Sequence, residues 1–202
     1  GGCSALFGAN AIGGVVNIIT KEPCRNSLNV SNQTFFTETG SFDINTNLNA
    51  SVLSPNEKVG LYLFGVRRDR KQYDRDGDGY SDIPKLETTT LGFRSYFKTT
   101  DYSKITAEYH HTTEFRRGGY GIDSLQPHES PLTEQLRHNI DAASLRWDYY
   151  TADNRHAVTP YASFQNIARE SYFGTNYNPN AYGQSRDITA VAGGQYRFSY
   201  PC

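Results

Sequence analysis

Asp74, Asp76, Asp78 and Asp82 crowd into one short run, with Gly77 and Gly79 between them. Carboxylates at alternate positions, with glycine to permit a sharp turn, can converge their oxygens on a hard cation such as calcium. Against the 12-residue EF-hand loop, Asp74, Asp76, Asp78, Gly79 and Asp82 take positions 1, 3, 5, 6 and 9. Position 12 needs a bidentate Glu and is Lys85, and no helical pattern flanks the run. An EF-hand is therefore excluded. Two readings stand: a calcium site of another kind, or a solvated acidic turn between strands.

Other reactive side chains carry less. His110 and His111 are adjacent on an extended stretch, so they point to opposite faces and cannot chelate one metal together. His128 and His138 sit in or beside a polar stretch where either can meet a ligand or simply be solvated. Arg67, Arg68, Arg70 and Lys71 form a basic run suited to anionic lipid headgroups rather than nucleic acid. Cys3, Cys24 and Cys202 are too few and too scattered for a disulfide framework or a zinc site. Cys3 can pair with Cys24 in an oxidising compartment, or all can be free thiols. No Ser, Asp or His falls in a recognisable catalytic motif, so no enzyme activity is expected.

The elements that carry these residues are strands. Phe42, Ile44, Thr46, Leu48, Ala50 and Val52 alternate with Asp43, Asn45, Asn47, Asn49 and Ser51. Ile105, Ala107 and Tyr109 alternate with Thr106, Glu108 and His110, and Ala143, Leu145 and Trp147 alternate with Ser144, Arg146 and Asp148. Period-two patterning of this kind predicts eight strands, near 27–38, 41–53, 58–70, 86–99, 102–115, 137–151, 156–172 and 186–200. Most exceed the ~5–6 residues usual in soluble sheets, and a bilayer-crossing barrel strand needs ~9–11. Short turns at 54–57, 100–102 and 152–155 alternate with longer loops near 71–85, 116–136 and 173–185, apart from a short first hairpin at Thr39-Gly40. Outer-membrane barrels sort their loops in this way.

Composition agrees. With 20 Lys+Arg against 21 Asp+Glu the net charge is -1, so nothing calls for nucleic acid. The 15 Tyr and 11 Phe suit strands and membrane interfaces. A mean hydropathy of -0.65 would exclude a helical membrane protein, but a barrel strand needs only every second residue apolar. No run approaches the ~18 apolar residues of a spanning helix. The chain has no Met and no signal peptide, as expected of an excised or incomplete chain whose targeting segment lies upstream.

The first residues differ in kind. Gly8, Gly13 and Gly14 punctuate small residues, and Val15-Val16-Asn17-Ile18-Ile19 reads as a strand buried on both faces. Gly13 is followed by Gly14-Val15 and not by Gly-Lys-Ser/Thr, so this is no phosphate loop. The stretch from Ser4 to Thr20, with Ser4, Leu6, Phe7, Gly8, Ala11, Gly13, Gly14 and Asn17, resembles the signature that closes the plug domain of TonB-dependent outer-membrane receptors. Phe7 and Val16 are mild departures from the Tyr and Ile common there.

That resemblance implies an all-β chain: residues 1–25 as the C-terminal end of a plug, and 26–202 as the N-terminal part of a transmembrane antiparallel β-barrel. Such receptors close at about 22 strands, so roughly eight would be present here. It implies a periplasmic position for the short turns and an external one for the long loops. It also implies uptake of a scarce nutrient, energised by the TonB complex acting on the plug. Polar residues such as Asp43, Asn45, Arg94, Glu108 and Arg146 would line the lumen. The stretch from Gly118 to Tyr182 resembles cobalamin receptors of Bacteroidetes, in which aspartates of the second and third external loops bind calcium. On that pattern Asp123 and Glu129 join Asp74, Asp76, Asp78 and Asp82 as calcium ligands. A corrinoid is then the first expectation for the substrate, with an iron siderophore or haem second. The alternatives are a secreted calcium-dependent carbohydrate-binding β-sandwich, and a glycoside hydrolase, which needs two facing carboxylates that the sequence does not establish.

Overall fold

The computed structural model describes residues 22–37 and 40–200. Eight strands follow in order: β1 (Ser27–Phe36), β2 (Phe42–Leu53), β3 (Val59–Arg70), β4 (Lys85–Thr100), β5 (Ser103–Gly119), β6 (Leu132–Tyr150), β7 (His156–Thr175) and β8 (Tyr182–Phe198). A 3-10 turn, Pro127–Glu129, interrupts the β5–β6 connection. Every strand pairs antiparallel with its neighbour in sequence, so all eight form one sheet in the order β1 to β8. β1 does not pair with β8, and the sheet is open. The plug signature and the Cys3–Cys24 pairing lie outside the described residues; Cys24 itself is exposed.

Register sorts the side chains cleanly. Asn45 stands opposite Arg68, Arg94 opposite Glu108, and Glu108 opposite Ser144, so one face is polar through β2–β6. Asp43, Asn45, Arg94, Glu108 and Arg146 all lie on it, as the alternation predicts. On the other face Leu48 meets Gly65, Leu63 meets Phe93, Ala107 meets Leu145, and Phe164 meets Ala190. That apolar face is open: Leu91 is 60% exposed, Leu145 54% and Ile188 60%. Among the described residues the only buried hydrophobic side chains are Leu86, Tyr96, Ile122 and Tyr172. A β-sandwich would bury the apolar face against a second sheet about 10 Å away, and the described residues form no second sheet.

The short turns 54–58, 101–102 and 151–155 share one end of the sheet, and the connections 71–84, 120–131 and 176–181 share the other. Several strands outrun their predicted ends at the loop end. The sequence predicts β5 to stop at 115 and β6 to begin at 137, because Arg116-Arg117-Gly118-Gly119 has no apolar stripe. Backbone pairing needs none: Arg116, Arg117, Gly118 and Gly119 pair with Leu136, Gln135, Glu134 and Thr133. Gly119 has φ +113, and a Cβ there would strike the Leu132 carbonyl. Likewise Tyr172 pairs with Tyr182, so β8 begins before its predicted start at 186, and Thr175 pairs with Leu132, carrying β7 past its predicted end at 172.

The basic run 67–71 does not form one patch, because adjacent strand residues face opposite ways. Arg67 turns to the apolar side and meets Asp69 at 2.8 Å, while Arg68 turns to the polar side and holds Asp43 at 2.6 Å. Upstream of β1 the chain crosses the polar face near the turn end. There the Glu22 carboxylate meets Lys104 at 2.8 Å and Arg94 at 3.5 Å, and Arg94 also meets Glu108 at 3.1 Å.

Candidate functional site

The acidic loop hangs between β3 and β4, and its carboxylates hold its backbone. The two Asp74 oxygens accept the amides of Gly77 at 2.8 Å and Gly79 at 2.9 Å. Asp78 accepts the Tyr80 amide at 2.8 Å, and Asp82 reaches back to the Arg75 amide at 2.8 Å. The tight winding depends on Gly77 and Gly79, whose φ angles of +76 and +86 other residues rarely adopt. Tyr73 and Ile83 bridge at the base, closing the loop.

This winding brings Asp74, Asp76 and Asp78 together, with one oxygen from each within 4.8 Å of the others. Ligands at 2.3–2.6 Å from calcium lie up to about 5 Å apart, so the three fit one calcium ion. Calcium takes 6–8 oxygens, and backbone carbonyls and water would supply the remainder. The other three expected ligands are placed elsewhere. Asp82 is engaged by the Arg75 amide. Asp123 accepts from the Gln72 amide and stands 3.7 Å from Lys85. Glu129 closes a capping box on the Gln126 amide at 2.9 Å. Asp123 and Asp74 nevertheless line one recess of about 230 Å³ between the two loops.

The Gly77 amide, with that of Gly79 adding to it, holds the Asp74 carboxyl below the usual aspartate range. A carboxyl whose pKa is lower in the folded state stabilises the fold above its unfolded value, and that support is lost as pH falls through the folded value. A carboxyl-carbon NMR titration of Asp74 should therefore show a midpoint below the unperturbed ~3.9, with the loop loosening only there. A midpoint at or above ~3.9 would mean that the amides do not hold it.

The loops dock on one another. Tyr80 bridges Tyr120 with ring centroids 5.1 Å apart, and the Ser81 amide donates to the Gly119 carbonyl at 3.1 Å. The β5–β6 loop is held in turn by Arg117, which donates to the Leu125 carbonyl, and by His128, 2.9 Å from the Tyr182 hydroxyl. His138 sits opposite Glu114 on the polar face. His110 and His111 do face opposite ways: His110 lies on the polar face, and His111 meets Asp141 at 2.8 Å on the other.

A second cavity, of about 500 Å³, lies at the loop end of β5–β7, where sequence reasoning placed no site. Tyr80, Pro84, Arg116, Gly118, Glu134 and Phe173 are among the residues that line it. Their only signal in the sequence is Gly118-Gly119, which reads as loop punctuation. No protein-family model, curated protein or solved structure matches this chain.

Proposed function

We propose that the chain is part of the wall of a TonB-dependent receptor in the bacterial outer membrane, preceded by the end of its plug. The observation that carries this is the division of one long-stranded antiparallel meander into a polar face and an exposed apolar face. Strands of 10 to 20 residues reach across a bilayer, for which ~9–11 suffice. At the turn end of the apolar face stand Phe97, Trp147, Tyr149 and Tyr196, all exposed. Rings at that level form the aromatic girdle of a membrane barrel, their apolar bodies in lipid and their polar atoms near water. The Trp147 indole N–H already has a polar partner, donating to Ser103 Oγ at 2.8 Å.

The polar face would form the lumen wall, with the segment at Glu22 entering across it from the plug. The long loops would face the medium and capture a scarce nutrient, with a corrinoid as the first candidate and an iron chelate or haem as the second. Calcium held by the Asp74 loop would stiffen the capture surface. The TonB complex would supply energy through the plug, and outer-membrane lipid would cover the apolar face. A secreted sandwich needs a second sheet over that face, and the described strands all belong to one sheet.

The test fractionates cells that express the full-length protein and measures labelled cyanocobalamin uptake with and without TonB. Detergent-dependent extraction from outer membranes and TonB-dependent uptake are the expected results. Extraction without detergent would sink the membrane assignment. Membrane residence with siderophore or haem uptake in place of cobalamin would overturn the corrinoid alone.

A further inference from the structure

At the loop end of the polar face, three successive strands place Gly118, Glu134 and Phe173 side by side, Gly118 opposite Glu134 and Glu134 opposite Phe173. Gly118 contributes no side chain, so bare backbone floors a bay between its neighbours. Loop residues close over it: a Cβ at Gly118 would sit 3.3 Å from Pro84 and 3.5 Å from Ser81 Oγ. Tyr80 and Leu132 complete the walls, and Arg116 stands two residues along the same face of β5. The half-open space, about 500 Å³, falls within the ~300–1,000 Å³ usual for small-molecule sites.

The lining is chemically uneven. Phe173 presents its ring at 71% exposure. Arg116 can only donate hydrogen bonds, and an ionised Glu134 can only accept them. Arg116 has one loose partner, Glu114 at 3.6 Å, and among the described residues Glu134 makes no ion pair. A ligand that satisfies both without net charge must carry groups that donate and accept alike, together with a flat apolar face for the ring.

We infer that this bay binds a neutral ring whose edge bears carboxamide or hydroxyl groups. The ring stacks on Phe173, its donors meet Glu134 and its acceptors meet Arg116. Two sources share that chemistry: the carboxamide-fringed edge of a corrinoid, and a pyranose of a neutral saccharide. The corrinoid source rests on the receptor reading above, whereas the bay itself does not need it.

The experiment titrates the detergent-solubilised full-length protein with cyanocobalamin and, separately, with maltotetraose. It compares the wild type with Phe173→Ala, Glu134→Ala, Glu134→Gln and Arg116→Ala. All three side chains are exposed, so the variants keep the fold. Weakening of at least tenfold by Phe173→Ala and Glu134→Ala is expected for the probe that binds, with Glu134→Gln partly restoring affinity because Gln still accepts a hydrogen bond. If that probe is cyanocobalamin, the bay holds a corrinoid edge. If only maltotetraose binds and is weakened, the bay stands and the corrinoid substrate falls. Either probe binding with unchanged affinity across the variants overturns the bay and leaves the receptor reading intact. Binding of neither probe overturns the bay as well.

Discussion

Arginine at Leu145 should destabilise the folded protein in a bilayer by about 2–4 kcal/mol, while arginine at Ser144 should leave it nearly unchanged. Leu145 stands opposite Ala107 and Ala162 on the apolar face, four residues from Tyr149 in the aromatic row and four from Asp141, where that face becomes polar, and so at the middle of the apolar stretch. A guanidinium there must either sit in hydrocarbon or drag water inward. Ser144 is its immediate neighbour, but it faces Glu108 and Ser163, where a new cation finds a carboxylate and a hydroxyl. One residue of displacement thus separates the two outcomes, because the side-chain period of a strand is two. Denaturant titrations of the protein folded into phospholipid vesicles read the difference. Equal losses at both positions, or none at Leu145, would overturn the face assignment. A nitroxide label at Leu145 distinguishes lipid from a protein core: collision with dissolved oxygen is frequent in lipid and suppressed in a packed interior.

All eight strands were legible because alternation is a local property. In β2 every apolar residue from Ile44 to Val52 shares one face, and pairing with β1 and β3 preserves that sorting. Strand ends were less legible at the loop end. The stripe of Ile105, Ala107 and Tyr109 breaks at His111 and Thr113, returns only at Phe115 and ends at Arg117 on the same face, while the hydrogen-bond ladder continues to Gly119. Hydrophobic pattern reports the environment of a strand, whereas pairing depends on the neighbouring backbone. Where β5 leaves its apolar environment the two signals separate, and the sequence carries only the first.

The site was legible to a similar degree. Asp74, Asp76 and Asp78 converge because their spacing and the two glycines determine the local winding. Asp123 and Glu129 depend on how a second loop lies against the first, and no local pattern encodes that. Lys85 and Gln72 engage Asp123, and the Gln126 amide engages Glu129. The bay at Phe173 was illegible for the same reason: Gly118, Glu134 and Phe173 are adjacent only through the register of β5, β6 and β7.

Chelation should weaken cyanocobalamin binding by the full-length protein at least tenfold, and Asp76→Ala with Asp78→Ala should remove that calcium response altogether. The physical basis is the division of labour inside the loop. Asp74 is already occupied by the Gly77 and Gly79 amides, so it shapes the turn whether or not a cation is bound. Asp76 accepts the Asp78 amide at 3.4 Å and Asp78 the Tyr80 amide, leaving each oxygen-rich and exposed. Three carboxylates, one of them half-buried, with oxygens inside 4.8 Å repel one another, and a divalent cation would reverse that repulsion. The loop that they stiffen carries Tyr80 and Ser81, which dock on Tyr120 and Gly119 and roof the bay at Phe173. A bound cation and a bound ligand would therefore be coupled through one short segment, and calorimetry in calcium and then in chelator measures the coupling. Binding that ignores chelator in both proteins would make the acidic loop an ordinary solvated turn. Binding lost in the double variant even with calcium present, but unaffected by chelator in the wild type, would assign the carboxylates to loop structure alone.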